Sequence, residues 1–227
     1  MMIEYLDNLD KQLLLYLNGM HTPFFDTLMW YVSKTATWSL MLITLIFILF
    51  RDNWRKAIFV LIGIAFTITL ADQISSGIIK DTIERLRPTH NPEIGFLVHI
   101  VNGYKGGLYG FVSSHAANTI GVATFISLLF KHKILTISIF LWAIIISYSR
   151  IYLGVHYVGD IIGGICVGLI SGYIGFRIYQ YAKNIKNIKQ KYVFTEISKK
   201  NAQIMTIGIW SNILITVGVS AILCFLA

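Results

Sequence analysis

The chain has 227 residues, of which 56% are hydrophobic and 13% are charged, whereas a soluble domain is about 45–50% apolar and about 25% charged. The excess apolar residues come in long blocks, which disfavours a soluble core and predicts an all-α, integral-membrane helical bundle. The net charge of +8 does not indicate a nucleic-acid partner, because the basic residues cluster between apolar blocks, as they do in cytoplasmic loops.

The first predicted element is an amphipathic helix over residues 3–18. Leucines recur there at three- and four-residue intervals, with acidic residues between them. A helix of this kind lies in the membrane interface, and we expect it to end near Gly19. The acidic residues are also wrong for the start of a signal peptide, so no cleavable signal is predicted. Residues 1–26 are therefore assigned to an interfacial amphipathic segment.

Six apolar blocks follow, and each predicts a transmembrane helix: 27–50, 57–79, 115–130, 134–149, 157–178 and 204–227. A helix needs about 20 apolar residues to cross the hydrocarbon, so the third and fourth blocks require flanking residues to extend them. Together the six blocks make residues 27–227 a single transmembrane domain. Cys166 and Cys224 lie inside blocks without a nearby Cys or His, so neither a disulfide nor a metal site is expected.

The distribution of basic residues predicts the orientation of the bundle. Twelve of the nineteen Lys and Arg residues fall in segments 51–56, 131–133 and 177–203. Six alternating spans place these three segments on one side, and the positive-inside rule makes that side cytoplasmic. The loop of residues 80–114 and the turn of residues 150–156 then face outward.

Three clusters of polar residues fall on this outer side, although their residues were not used to derive the orientation. The clusters are Lys80 with Arg87-Pro88, then Ser113-Ser114-His115, then Ser149-Arg150 with His156 and Asp160. Residues that are distant in the chain are therefore expected to meet at one membrane face.

His156 and Asp160 are four residues apart, so on a helix they share one face. A carboxylate bound to one imidazole nitrogen fixes the tautomer and leaves the other nitrogen as a base or nucleophile. Asp160 also begins an apolar span, where a carboxylate is costly and is by default a functional candidate. Taken alone, the pair is also compatible with a structural hydrogen bond.

Lys80, Arg87 and Arg150 add three positive charges to this face. Arginine offers a rigid fork that suits phosphate oxygens, and lysine offers a point charge. Fixed cations lower the barrier to phosphoryl transfer because negative charge spreads over the transferred oxygens. This combination predicts a phosphate site.

The second cluster begins a helix. The hydroxyls of Ser113 and Ser114, with the free backbone N–H groups of a helix start, are suited to hold phosphate oxygens. His115 next to them is a candidate general acid for the leaving oxygen.

Together the three clusters resemble the three-part signature of the type 2 phosphatidic acid phosphatase family, over roughly residues 55–180. The first and third clusters match it in residue type and spacing. The second departs from it, because this chain has Val112-Ser113-Ser114-His115 where the family usually has Pro-Ser-Gly-His. Because Ser114 has a side chain where glycine has none, it is expected to restrict the close approach of the backbone to phosphate, and so to affect the rate and the substrate preference.

The resemblance implies that residues 27–227 form a phosphatase domain acting on a phosphomonoester or pyrophosphate of a membrane lipid, without metal or other cofactor. Candidate substrates are polyprenyl pyrophosphate, lipid A phosphate, phosphatidylglycerol phosphate and phosphatidate. The implied roles are nucleophile and phosphohistidine for His156, orientation of that imidazole for Asp160, general acid for His115, and phosphate binding for Lys80, Arg87, Arg150, Ser113 and Ser114.

Two other functions stay open at this point. The same site would serve a phosphotransferase that passes phosphate to a second lipid, and a transporter or scaffold would keep the fold without catalysis. The compact chain favours a bacterial inner or plasma membrane, with the active site facing the periplasm or exterior.

Two further segments have alternative interpretations. The loop of residues 88–112 is predicted to be either a lid that contacts the headgroup or a mobile connector. Gly164, Gly168 and Gly172 form a small-residue stripe, for which packing within one subunit is favoured over a homodimer.

Overall fold

The structure, a computed structural model, describes residues 2–190 and 198–226. This part of the chain forms α1 (Met2–Asn18), α2 (Pro23–Val32), α3 (Ser39–Asp52), α4 (Trp54–Asp72), α5 (Lys80–Ile83), α6 (Ser114–Phe130), α7 (Lys133–Tyr152), α8 (Val158–Gln190) and α9 (Lys199–Leu226). A π-helical segment, Gln73–Ile79, joins α4 to α5. The described residues contain no strand, which confirms the all-α fold class.

Within the described residues, four helical segments are long and apolar enough to cross a membrane: Trp54–Ile83, Lys133–Tyr152, Val158–Ile185 and Lys199–Leu226. A fifth crossing results if the bent pair formed by α2 and α3 counts as one span. The apolar helix α6 has 17 residues and is shorter than these. The structure therefore supports an integral-membrane bundle, and the number of six spans stays a prediction.

The apolar block 27–50, predicted to be one helix, forms two helices. The chain bends by 73° after α2, and the 3-10 turn Thr35–Trp38 lies between α2 and α3. Thr37 Oγ1 donates to the carbonyl of Tyr31 at 2.6 Å, and Trp38 Nε1 donates to another carbonyl of α2 at 3.0 Å. These bonds satisfy carbonyls that every helix end leaves free, so α2 stops there.

The helix α6 lies at the centre of the bundle, against α4, α7 and α8. Its contact with α8 is close because of the glycine stripe at 164, 168 and 172. A Cβ at each of these positions would lie 2.5–2.6 Å from a backbone oxygen of α6 or of its N-cap. The stripe therefore packs within the chain, as favoured from the sequence, and a homodimer stays a prediction.

The N-terminal helix α1 coincides with the helix predicted over 3–18. Its side chains Tyr5, Leu6 and Tyr16 are exposed, whereas Asp10, Leu14 and Asn18 are buried against the bundle. One side of α1 thus packs on the protein, and the apolar side chains on its other side are free to face lipid. Its interfacial position stays a prediction.

The antiparallel order of the helices determines which ends meet. The C-terminal ends of α5 and α7 and the N-terminal ends of α6 and α8 lie at the same end of the bundle, because these helices follow one another in alternating directions. The three polar clusters occupy these four ends. Of the basic stretch 177–203, residues 191–197 lie outside the described residues.

Candidate active site

The centre of the site is a buried histidine–aspartate pair. His156 lies in the turn between α7 and α8, and Asp160 lies in the first turn of α8. Nδ1 of His156 is 3.2 Å from Oδ2 of Asp160, which also accepts the backbone N–H of Tyr157 at 3.0 Å. The two residues are only 1% and 0% exposed. The pair predicted from the four-residue spacing is therefore formed.

Arg87 determines which tautomer His156 adopts. Its Nη1 lies 3.0 Å from Nε2 of His156 and also donates to the carbonyl of Val155, and its Nε donates to the carbonyl of Tyr109. A guanidinium can only donate, so Nε2 must accept and the ring proton must be on Nδ1. Nδ1 then donates to Asp160, and the lone pair of Nε2 is the one available for attack.

The environment of His156 keeps its imidazole neutral. Burial, followed by the positive charges of Arg87, Arg150 and Lys80, holds the pKa of His156 well below its usual 6.5. A neutral imidazole has the free lone pair that a nucleophile needs.

This lowered pKa makes the stability of the protein depend on pH. Below pH 6.5 the unfolded chain protonates His156 and the folded chain does not, so the free energy of unfolding decreases as the pH falls. Between pH 7.5 and 5.5 the expected loss is about 1.4 kcal/mol. Thermal unfolding in detergent at both pH values, for the parent and for His156→Gln, measures it. An equal loss in the variant would show that another group is responsible.

Three cations, Lys80, Arg87 and Arg150, border the pair. Within residues 2–190 and 198–226, no carboxylate lies at ion-pair distance from Lys80, Arg87 or Arg150. Arg87 and Arg150 are nevertheless only 8% and 3% exposed. A buried charge without a counter-ion is costly. An anionic ligand would supply the missing counter-charge.

Arg150 is held by hydroxyl groups. Its Nη1 donates to Ser33 Oγ, its Nη2 donates to the hydroxyl of Tyr104 at 3.1 Å, and its buried Nε has no partner in the described part of the chain. The free Nε–H and the weak neutral acceptors leave the guanidinium available to phosphate oxygens.

The two serines of the second cluster have different contacts. Ser113 caps α6, and its backbone N–H donates to the carbonyl of Asp160 at 3.0 Å, which ties the two helix starts together. Ser114 Oγ accepts from Lys80 Nζ at 3.2 Å and lies 2.6 Å from Ser76 Oγ. The serine that replaces the usual glycine therefore holds Lys80 in place at the site.

His115 follows in the first turn of α6, where the charges of Arg150 and Lys80 and the ring of His156 act on it. The structure thus brings the predicted site residues together at one end of the bundle: Lys80, Arg87, Ser113, Ser114, His115, Arg150, His156 and Asp160. Their individual roles stay predictions.

The sequence analysis missed Arg85. Its Nη1 donates to Oδ1 of Asp160 at 3.0 Å and to Oδ2 of Asp10 at 2.8 Å, and its Nη2 donates to Oδ1 of Asp7 at 3.0 Å. The only signal in the sequence was the cluster of acidic residues in the N-terminal helix of a chain with net charge +8. Spacing could not reveal the contact, because 75 residues separate Arg85 from Asp10.

Arg85 connects α1 to the buried pair. Burial opposes its charge, but Asp160 and Asp10 outweigh burial and raise its pKa above the usual value. Asp10 also accepts the backbone N–H of Gly159 at 2.9 Å. With Oδ1 of Asp160 held by Arg85, Oδ2 is directed at His156, so Arg85 is a positioning residue.

We expect Arg85→Met to lower kcat by about 10- to 100-fold with little change in KM, because Asp160 loses its orienting partner while the phosphate cations remain. The unfolding temperature should also fall, since Asp7, Asp10 and Asp160 lose the half-buried cation that they share. Arg85→Lys should recover part of kcat. Steady-state kinetics beside Arg177→Met, an exposed arginine of α8, provides the control. A change in KM alone would contradict the positioning role.

The end of the loop 88–112 covers the buried pair. Gly110 donates its N–H to the carbonyl of Arg85 at 2.8 Å, and a Cβ at Gly110 would lie 2.9 Å from Oδ2 of Asp160. Only a residue without a side chain fits there. Together with the bond from Arg150 to Tyr104, this contact makes the loop part of the site.

One group in the described residues has the donor types of a metal site: His21, Asp26 and His99. His99 Nε2 lies 3.0 Å from both carboxylate oxygens of Asp26, so this histidine, to which no role was assigned, has an acidic partner. The rings of His21 and His99 stack in parallel at 3.7 Å. A metal ion lies near the plane of each imidazole that binds it, and two stacked planes do not share such a point. We assign no metal to this group.

A membrane-embedded helical bundle with a buried histidine–aspartate pair beside three cations is an architecture suited to an integral-membrane phosphatase. The family model described as the PAP2 superfamily matches residues 59–184, and the chain belongs to this superfamily. The family resemblance seen in the three clusters and the phosphatase activity it implied are thereby confirmed.

Several curated relatives are similar over most of the chain. A lipid A 4'-phosphatase of Bacteroides thetaiotaomicron is 43% identical over 180 residues, which is 78% of this chain and 80% of the relative. A lipid A 4'-phosphatase of Porphyromonas gingivalis is 38% identical, with 80% of this chain and 78% of the relative covered. A phosphatidylglycerophosphatase B of Bacillus subtilis is 32% identical over 53% of this chain and 57% of the relative.

Solved structures share the fold. LpxE of Aquifex aeolicus is 25% identical with a TM-score of 0.55, over 73% of this chain and 93% of that chain. A transmembrane PAP2-type phosphatidylglycerolphosphate phosphatase of Bacillus subtilis has a TM-score of 0.57 at 22% identity, over 80% of this chain and 87% of that chain, and it supports the fold alone.

Proposed function

We propose that this protein removes the 4'-phosphate group of lipid A through a phosphohistidine on His156, without a metal ion. The observation that carries the chemistry is the chain of contacts from Arg87 through His156 to Asp160, which leaves Nε2 as the nucleophile. The two relatives at 43% and 38% identity support the choice of lipid A and of the 4'-position.

The first half of the reaction forms the phosphohistidine. Phosphate oxygens replace Nε2 as the acceptor of the Arg87 guanidinium, which releases the lone pair of His156. A bond from Nε2 to phosphorus forms while the bond from phosphorus to the sugar oxygen breaks. The bound phosphate anion offsets the positive charges of Arg150 and Lys80 around His115, so that His115 can take up a proton from solvent with the substrate and transfer it to that oxygen. The Nδ1 proton stays on His156, and Asp160 stabilises the positive charge on the imidazole.

The second half hydrolyses this intermediate. Water attacks phosphorus as the bond to Nε2 breaks, and the now neutral His115 accepts the proton that the water loses. Inorganic phosphate leaves, and both histidines regain their starting protonation. Lys80, Arg87 and Arg150 stabilise the charge of the transferred group in both steps.

We place the active site at the non-cytoplasmic face of a bacterial inner or plasma membrane. The support is the excess of basic residues in segments 51–56, 131–133, 177–190 and 198–203, which the antiparallel helix order puts at the other end of the bundle. Two experiments in intact cells test this orientation. An impermeant protease should cleave the loop 88–112, or an impermeant thiol reagent should label a single cysteine introduced into that loop.

Phosphate release by the purified protein in detergent and chelator tests the activity. The panel contains lipid A, phosphatidylglycerol phosphate, phosphatidate and a polyprenyl pyrophosphate, and mass spectrometry locates the position from which phosphate is lost. We expect release from the 4'-position of lipid A. Release only in the presence of an acceptor lipid would instead indicate the phosphotransferase, and a requirement for added metal would contradict the proposed mechanism.

A further inference from the structure

The first turn of α8, which carries Asp160, begins differently from that of four other helices. The helices α2, α4, α6 and α7 each follow a residue whose side chain accepts a backbone N–H of their own first turn: Thr22, Asn53, Ser113 and His132. Such a cap satisfies one of the N–H groups that a helix start leaves free. Tyr157 precedes α8, and its hydroxyl accepts from Asn91 at 3.1 Å instead.

Asp10 of α1 supplies the acceptor for this turn. Its Oδ1 accepts the N–H of Gly159, the second residue of α8, at 2.9 Å. A capping side chain accepts from the second or third residue of a helix, so Asp10 acts as the cap of α8 although 149 residues separate it from Gly159. The contact needs a glycine, because a Cβ at residue 159 would lie 2.6 Å from Oδ2 of Asp10.

The position of Asp160 depends on this turn. The N–H of Ile161 donates to the carbonyl of Tyr157 at 3.3 Å, which closes the turn. The N–H of Tyr157 donates back to Oδ2 of Asp160 at 3.0 Å, as the third residue of a helix receives it in a capping box. Oδ2 is also the atom that faces Nδ1 of His156. A shift of this turn would therefore move the carboxylate relative to the imidazole.

Asp10 acts on Asp160 by a second route, through Arg85. Oδ2 of Asp10 and Oδ1 of Asp160 accept from the same Nη1 atom of Arg85, at 2.8 Å and 3.0 Å. The donors of a guanidinium lie in a rigid plane, so a carboxylate that holds Nη1 on one side restrains the atom that faces Asp160 on the other. The two oxygens of Asp10 thus contact both supports of Asp160, the helix turn and the arginine.

We infer that Asp10 is a positioning residue for the reaction, and that the N-terminal helix α1 is thereby part of the catalytic apparatus. This helix lies outside residues 59–184, which the family model matches. Asp10 touches no reacting atom and acts through α8 and Arg85 on Asp160. The inference rests on the proposed role of Asp160 in orienting His156. The competing interpretation is that Asp10 only attaches α1 to the bundle.

Steady-state kinetics separates the two interpretations, with lipid A and phosphatidate in detergent micelles as substrates. Asp10→Ala is expected to lower kcat about three- to tenfold, the effect of a lost hydrogen bond, and to change KM less than about twofold. KM is retained because the cations that hold phosphate are untouched. Asp10→Glu keeps the charge and both acceptor oxygens and should recover part of kcat.

Asn18→Ala is the matched control at the other end of α1. The Asn18 side chain binds backbone groups of His99 and Tyr152 through three hydrogen bonds, none of which involves α8 or Arg85. The control and Asp10→Ala should both lower the unfolding temperature, but the control should change kcat less than about twofold. Each rate is measured at the same interval below the unfolding temperature of that variant.

A double-mutant cycle with Gly159→Ala tests the contact itself. In the parent the new methyl group would displace the carboxylate of Asp10, so kcat should fall about as much as in Asp10→Ala. In the Asp10→Ala background the same substitution has no carboxylate to displace and should cause no further loss. Losses that multiply would show that the two residues act independently.

The inference would be overturned by unchanged kcat in Asp10→Ala, by a change in KM alone, by an equal loss of kcat in Asn18→Ala, or by independent effects in the cycle. Failure of the proposed function has a different signature, because it appears in the parent as phosphate release from phosphatidate but not from lipid A. The comparison of Asp10→Ala, Asn18→Ala and the cycle on phosphatidate would then still decide the role of Asp10.

Discussion

Replacement of His156 by alanine is expected to lower kcat by at least about 10⁴-fold, because the variant has no nucleophile to form the covalent intermediate. Lipid binding should persist, since Lys80, Arg87 and Arg150 remain. The variant should also stay folded, because the Nη1 group of Arg87 keeps its bond to the carbonyl of Val155. Phosphate release from lipid A, measured with the unfolding temperature, gives both quantities.

The intermediate itself provides a second measurement. Rapid acid-free quenching of the parent with phosphate-labelled lipid A should trap an acid-labile, base-stable phosphate on the protein, and the His156→Ala variant should trap none. His132→Asn is a matched control, because His132 caps the opposite end of α7 and asparagine preserves a helix cap. Trapping in the alanine variant, or turnover near that of the parent, would rule out His156 as the nucleophile.

Asp160→Asn is expected to reduce kcat by about 10³- to 10⁴-fold, an effect of the wrong imidazole tautomer. In the parent, Oδ2 of Asp160 accepts from His156 and Oδ1 accepts from Arg85. An asparagine must present its NH₂ group to one of the two. If the NH₂ group points toward His156, Nδ1 must accept and the ring proton must move to Nε2. A proton on Nε2 blocks attack and faces the Nη1 donor of Arg87. If the NH₂ group points toward Arg85, it faces the Nη1 group of Arg85, and two donors meet without an acceptor.

The expected kinetic pattern distinguishes this cause from a loss of binding. KM should change by less than about threefold, because the cations that hold phosphate are retained. Asp81→Asn, an exposed aspartate on the neighbouring helix α5, is the matched control and should behave as the parent does. A large rise in KM with kcat preserved would assign Asp160 to substrate binding instead of to orientation of His156.

Much of the site was predictable from the sequence because its parts are local. The four-residue spacing predicted that His156 and Asp160 would meet. They do so at 3.2 Å, although His156 lies in the turn before α8 and not on the helix itself. The alternation of apolar blocks carries the other clusters to the same end of the bundle. Even the departure at Ser114 was visible, although its contact with Lys80 was not.

The role of the loop 88–112 could not be predicted from the local sequence. Its glycines and tyrosines were equally compatible with a lid and with a mobile connector. The structure brings Gly110 against Asp160 and Tyr104 against Arg150, so the loop closes over the site. These contacts depend on how the ends of four helices converge, and a short stretch of sequence carries no information about that arrangement.

The sequence by itself determined the all-α membrane class and predicted which residues meet at one end of the bundle, because hydrophobic periodicity and short spacings act within a few helical turns. Tertiary structure alone decided two features: the bend after α2, and the contact of Arg85 with Asp10 and Asp160. Each depends on partners from separate segments of the chain. A helix end and a half-buried charge are stabilised by the groups that the fold brings to them, and that proximity is set by packing of the whole bundle.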